Sequence, residues 1–462
     1  MICESKAASS ALLTDLYQIT MLQGYFDQGM EEVAVFEFFA RKLPAQRNFV
    51  LAAGLEQVLT FLENVRFTAE ELNWLSSQEL FRPDFVRYLE NFRFTGDVHA
   101  MAEGTVFFPN EPILRVSAPL PEAQLVESRI INLLHFETLI ASKAARSVLT
   151  APDKLLVDFG FRRAHGAEAG LLASRASYLA GFAGTATVAA GPLFGIPIFG
   201  TMAHSFIQAH DDEITAFDHF AHSLPSSVVL LIDTYDTEAA AEKVVLLAPK
   251  LAREGIKIKG VRLDSGDLAD HAFKVRRILD DGGLGDVTIF ASGSLDEYLL
   301  EKLAAKKAPI DGYGIGTHMD TSADAPYLDC AYKLVEYGGR ARRKRSEGKA
   351  LWPGRKQVFR SYDREGCMSG DVLALADEKR EGDALIQPVM QAGSRVAPPV
   401  SLRDLRRRTQ IELERLPDWL RGLTRTNDYP VTVSKAVHDL ARRVDAAQER
   451  AEKGDAVAET VR

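Results

Sequence analysis

An α/β fold built on a parallel sheet, curled toward a closed barrel rather than left open, is what this 462-residue sequence predicts. Three observations carry that prediction. Short apolar runs recur from Lys154 onward, and each stops abruptly in Gly, Asp, Ser or Thr: "KLLVDFGFRRAHG", "IPIFGTMAHS", "VVLLIDTYDTE", "IKGVRLDSGDL", "VTIFASGSLDE" and "IDGYGIGTHMD". Helical patterns separate several of them, clearest in "TEAAAEKVVLLAPKLAREG" and "LADHAFKVRRILDDGG". No unit reads as an obvious edge strand, which favours closure. In either architecture ligands bind beyond the C-terminal ends of the strands, where these polar tails sit.

The remaining elements follow in chain order. Residues 11–92 mix helical patterns such as "DLYQITMLQGYF" with extended runs such as "VAVFEFFARKL". "DVHAMAEGTVFFPNEPILRVSAPL" is rich in Val and Phe, with turn signals at Glu103-Gly104 and Pro109-Asn110, and reads as a strand pair or meander. From Glu122 to Ser147 apolar residues at helical spacing predict one long, largely buried helix. Ala176–His210 contains no Asp, Glu, Lys or Arg, but five glycines with Pro192 and Pro197 interrupt it, so it reads as buried, loop-broken core and not as a membrane span. Beyond Tyr332 the chain turns strongly basic, residues 361–400 read as strands and turns, and from Asp439 a charged helical tail is expected to fray.

Composition narrows the partners. Hydrophobic residues at 46% fill a sizeable core, and a net charge of −9 spread over both signs excludes nucleic-acid binding through bulk electrostatics. Small molecules are the expected ligands. Cys3, Cys330 and Cys367 lie far apart with no C-x-x-C spacing, which gives neither a zinc site nor a disulfide framework and suggests a reducing cytoplasm. The first twenty residues lack the pattern of a signal peptide.

Chemistry concentrates at the strand ends. In "GVRLDSGDL", helix capping and turn formation would explain Ser265 and Asp267, but not Arg262 two residues before Asp264 on the same strand face. An arginine and an aspartate at a barrel mouth suit a phosphorylated sugar: the guanidinium takes phosphate, the carboxylate takes ribose hydroxyls or a metal ion. Phe161, Arg162, Arg163 and His165 end another run, where the adjacent arginines fit an anion site or a solvated surface pair equally well. Gly314, Gly316 and Thr317 offer unobstructed backbone N–H groups of the kind a phosphate cradle needs. His204, His210, His219 and His222 cluster in sequence, yet "DDEITAFDHFAH" reads better as an exposed helix face than as a zinc site. No acid/base dyad, reactive-cysteine motif or P-loop stands out. Such a set suits transfer chemistry driven by positioning and charge stabilisation.

Taken together, "LLTDLYQITMLQGYF", "FPNEPILRV", "DFGFRRAHG", "GTMAHSF", "LIDTYDT", "RLDSGDL", "YKLVE" and "PGRKQV" resemble, in order, the motifs of nicotinate phosphoribosyltransferases. The resemblance implies an irregular α/β barrel of the type II phosphoribosyltransferase kind with an open-faced α+β sandwich domain. Residues 1–121 would form the sandwich and 122–335 the barrel; 336–438 would return to the sandwich and 439–462 form the tail. It implies a homodimer with shared active sites, and nicotinate, 5-phosphoribosyl 1-pyrophosphate and ATP as substrates, with Mg²⁺ as cofactor.

Residue by residue, the resemblance makes His204 the site of phosphorylation by ATP, with Ser205 binding phosphate. Arg163 and Arg262 would bind the phosphoribosyl substrate, and Asp264 the ribose or the metal. Gly293, Ser294, Gly314, Gly316 and Thr317 would line the sugar and 5-phosphate loops. Phe161 would face Tyr17 of the partner subunit across the pyridine ring. Ala186 stands where nicotinamide-using relatives carry an aspartate that accepts from the amide, and so argues for nicotinate over the alternative, nicotinamide. Lys333, Lys344 and Lys356 are candidates for nucleotide contact or for a solvated surface.

Overall fold

A computed structural model describes residues 10–346 and 351–452. The chain divides into two compact units: residues 140–326, and the flanking segments up to 139 and from 327 onward.

The 140–326 unit holds the expected parallel sheet. Its strands run in the order Gly184–Thr185, Leu155–Asp158, Gly312–Ile315, Thr288–Ala291, Ile258–Leu263 and Val228–Leu231. Every pairing is parallel. The first and last of these strands do not pair with each other, so the curled sheet is a half-barrel rather than a ring closed by hydrogen bonds. Helices Glu213–Ser223, Thr237–Arg253, Leu268–Asp281 and Glu297–Ala305 alternate with the strands. Each opens on an aspartate whose carboxylate accepts from the first turn: Asp212, Asp236, Asp267 and Asp296. An N-cap of this kind contributes about 1 kcal/mol.

The charge-free stretch is less buried than expected. Ala176, Leu179, Phe182 and Thr185 are core, but Val188, Leu193 and Ile198 are 68%, 42% and 56% exposed. Beyond the Gly184–Thr185 strand burial becomes intermittent: the chain continues through the short Ala190–Phe194 helix and loops, where Ala190, Ile196 and Met202 are still buried. No helix among the described residues is long and apolar enough to cross a membrane.

In the other unit a seven-stranded antiparallel sheet runs Arg340–Ala341, Cys330–Tyr337, Val33–Ala40, Pro112–Pro119, Asp97–Ala100, Gln387–Gln391, Ser394–Arg395. Val33–Ala40 is buried on both faces after its first residue, and Phe36 stacks on Tyr332 with ring centroids 4.9 Å apart. The strands expected over 97–119 are present, with Val106–Phe107 paired to Val50–Leu51 in a small separate ladder. The helix expected over 122–147 is two helices, Leu120–Leu125 and Glu127–Thr150, joined at Val126. Cys330–Tyr337 belongs to this unit and not to the half-barrel, because it pairs with Val33–Ala40 from Ala34 to Ala40. Helix Lys435–Glu452 carries the start of the charged tail, and residues 453–462 lie outside the described ones.

Candidate active site

Side-chain alternation puts Arg262 and Asp264 on one face at the end of the Ile258–Leu263 strand. Arg262 Nη2 lies 3.7 Å from Asp264 Oδ1. Arg262 Nη1 donates to Thr201 Oγ1 at 2.6 Å and to the Met202 carbonyl at 3.2 Å, and the guanidinium lies 5.9 Å from the Phe159 ring centroid. Burial pulls its pKa below the usual arginine value, Asp264 and Asp233 push it back up, and Arg162 adds a like charge. A guanidinium keeps its proton under such a shift, so the strand end holds a fixed, partly desolvated cation.

His204 opens the short His204–Gln208 helix, directly after the loop that holds Thr201. Its Nδ1 is 3.1 Å from Thr234 Oγ1. Its Nε2 is 3.8 Å from Asp264 Oδ2, beyond hydrogen-bonding distance. Asp264 in turn accepts from the Ser292 hydroxyl through Oδ1, and its backbone N–H donates to Asp233 Oδ2 at 3.0 Å. Ser265 donates to the same oxygen at 2.5 Å. Asp233 Oδ1 is buried with no hydrogen-bond partner among the described residues.

Thr201, Asp233, Thr234 and Ser292 thus join the site although the sequence reading had not assigned them. Asp233, Thr234 and Ser292 were detectable by the rule that singled out Asp264, since each lies where an apolar run turns polar. Asp267 is the cap expected of it, accepting from Ala269 and Asp270 N–H at 3.1 and 3.2 Å.

A second group lies at the ends of Leu155–Asp158 and Gly312–Ile315. Phe161–Arg163 is a single 3₁₀ turn with the Phe161 ring 45% exposed. Arg163 Nη1 reaches Thr317 Oγ1 at 3.5 Å. Gly314 lies inside its strand, where a side chain would collide with the Phe159 ring, so it serves packing and not an open loop. Gly316 precedes the Thr317–Asp320 turn. Gly293 has φ +92°, and a Cβ there would come within 2.0 Å of the Asp264 carbonyl oxygen; Ser294 follows at φ +51°. This tight turn presses the end of Thr288–Ala291 against the Asp264 strand end. Ala186 and Ser205 are exposed.

Tyr17 sits in the other unit, on helix Leu16–Asp27, 48% exposed. Lys356 is also there, fully engaged: Nζ lies 2.7 Å from Glu37 Oε2 and donates to the Trp352 and Gly354 carbonyls, both at 2.7 Å. With no donor left to offer and only 4% exposure, Lys356 is neither a nucleotide contact nor part of a solvated surface. Lys333 pairs with Glu127 at 3.3 Å.

Asp264 and Asp233 supply hard carboxylate oxygens, one of them without a partner, beside a fixed arginine. Mg²⁺ takes one or two carboxylates and completes its shell with water and substrate phosphates, so this donor set fits it. No cluster of three or more His, Cys, Asp or Glu that could hold a metal occurs among the described residues. The histidines of the 204–222 stretch are spent otherwise: His222 bonds the Asp218 carbonyl and Glu254, and His210 bonds His219 at 3.1 Å.

Comparison with known proteins places the chain in a family. Three family models match in order: the nicotinate phosphoribosyltransferase N-terminal domain over residues 12–135, the nicotinate phosphoribosyltransferase family over 155–337, and the C-terminal domain over 379–441. The chain is 47% identical over 453 residues to nicotinate phosphoribosyltransferase pncB2 of Mycobacterium tuberculosis, covering 97% of this chain and 96% of that one. It is 40% identical to the nicotinate phosphoribosyltransferase of Bacillus subtilis, covering 81% and 78%. The crystal structure of human nicotinic acid phosphoribosyltransferase superposes with a TM-score of 0.84 at 30% identity, covering 93% of this chain and 99% of that one.

Proposed function

From the premise that this chain belongs to the nicotinate phosphoribosyltransferase family, we propose that it joins nicotinate to 5-phosphoribosyl 1-pyrophosphate and couples that step to ATP through His204. The observation that carries this reading is the placement of Arg262, Asp264 and His204 together at the ends of parallel strands. The pyridine nitrogen bears a free lone pair and attacks the anomeric carbon directly. The bond from that carbon to the pyrophosphate oxygen breaks, and pyrophosphate leaves with both electrons.

Stabilising that departure is the task of Arg262 with Arg163, and Asp264 with Asp233 would hold the Mg²⁺ that neutralises the leaving charge. Phe161 offers one ring face to the base, and Tyr17 of the partner subunit would offer the other. Ala186 leaves room for the nicotinate carboxylate without repelling it.

In the ATP half-reaction the His204 tautomer protonated at Nδ1, donating to the Thr234 hydroxyl 3.1 Å away, would leave the Nε2 lone pair free to attack the γ-phosphorus. ADP leaves, and water later returns the phosphoryl group as phosphate. The test is product formation from nicotinate and 5-phosphoribosyl 1-pyrophosphate with Mg²⁺, with and without ATP, in wild type and His204→Ala. Stimulation by ATP in the wild type alone supports the reading. A variant that ATP still stimulates overturns the role of His204, and turnover of nicotinamide in preference to nicotinate overturns the substrate.

A further inference from the structure

Two buried carboxyl groups face each other beneath the candidate ligand loops. Asp158 ends the Leu155–Asp158 strand and Asp320 ends the turn after Gly312–Ile315; they are 0% and 1% exposed. Asp158 has three donors: the Gly160 N–H at 2.8 Å, the Ser174 hydroxyl at 2.9 Å and the Thr185 hydroxyl at 2.6 Å. Asp320 has none: neither of its oxygens finds a donor among the described residues. The charged group that acts on it is Asp158.

Two ionised carboxylates in that position would repel each other at low dielectric and leave Asp320 without a hydrogen bond, a double cost that one proton removes. Burial and the charge of Asp158 accordingly hold Asp320 well above the usual carboxylate range.

Each partner of this pair leads to a ligand loop. Gly160 precedes the turn carrying Phe161 and Arg163, and it must be glycine because a Cβ there would come within 2.1–2.4 Å of the Asp320 carboxyl atoms. Thr185 accepts the Thr187 N–H at 2.9 Å, and the Ala186 N–H donates to the Asp158 carbonyl at 2.8 Å. Asp320 shares its four-residue turn with Thr317, which receives Arg163.

We propose that Asp320 and Asp158 share one proton, donated from Asp320 to Asp158, and that this acid–carboxylate bond is a positioning device that sets the Phe161–Arg163, Ala186 and Thr317 loops in register for the pyridine base and the phosphoribosyl group. The proposal rests on the substrate reading above. Its first test is independent of turnover.

That test is infrared spectroscopy of the full chain at neutral pH. The wild type should show the carbonyl stretch of a buried protonated carboxylic acid, shifted in heavy water and missing from Asp320→Asn. Absence of that band from the wild type overturns the proposal whether or not the protein turns nicotinate over. The second test is kinetic. Asparagine keeps a donor toward Asp158, so Asp320→Asn should leave KM for both substrates within about twofold of wild type. Asp320→Ala should raise both by roughly tenfold, with kcat changed less. An alanine variant with wild-type KM values, or an asparagine variant as impaired as alanine, overturns it.

Discussion

At the scale of single residues, the substrate choice proposed above turns on one methyl group. Ala186 lies on the loop after Gly184–Thr185, exposed, with its backbone N–H committed to the Asp158 carbonyl at 2.8 Å. An aspartate there would place a carboxylate against that of nicotinate and accept from an amide instead. Ala186→Asp is expected to lower kcat/KM for nicotinate at least about tenfold and to raise it for nicotinamide, a shift of roughly 1.4 kcal/mol or more in specificity. Competition between the two bases in one assay measures it, and an unchanged preference would remove Ala186 from the specificity pocket. Arg262, Asp264 and His204 were legible because each interrupts an apolar run. Asp320 was not: in "GYGIGTHMD" it reads as one more polar turn residue, and nothing in the sequence tells that Asp158, more than 150 positions earlier, will face it.

Among elements, the strand-to-helix turns do two different jobs with one residue type. Asp264 points at the site from the strand end, while Asp267, three residues on, caps the helix that follows. Asp267→Ala is expected to cost about 1 kcal/mol of stability with catalysis nearly unchanged, and Asp264→Ala to abolish catalysis with little effect on stability. Chemical denaturation paired with the product assay separates the two. The strands themselves were readable from their abrupt polar ends. The curvature of the sheet was harder to read, since hydrophobic pattern reports burial and says nothing of whether Gly184–Thr185 meets Val228–Leu231. The break at Val126 escaped for a similar reason: apolar residues continue at helical spacing straight through it.

For the molecule as a whole, Asp320 gives stability a pH dependence that can be isolated. From about pH 4, where an ordinary aspartate ionises, up to the raised pKa of Asp320, the folded chain holds a proton that the unfolded chain has released. Stability from this group is therefore fully present at low pH and is lost as pH rises through that window. Asparagine has no such proton, so the stability of wild type minus that of Asp320→Asn should fall as pH increases. Denaturation of both proteins across the window checks it, and a constant difference would mean that Asp320 is ionised in the folded state.

The interior Val33–Ala40 strand of the antiparallel sheet takes one neighbour from Pro112–Pro119 and the other from Cys330–Tyr337. On a ribosome the second neighbour emerges roughly 290 residues after the first strand is complete, a delay of about 15–60 s at ordinary elongation rates. Until Cys330–Tyr337 arrives Phe36, Phe38 and Phe39 lie along an unpaired edge, whereas the 140–326 segment is contiguous and has all six of its strands once Ile315 is made, ahead of Cys330. Nascent chains arrested before Cys330 should accordingly be the species that chaperones bind and that aggregates when they are absent.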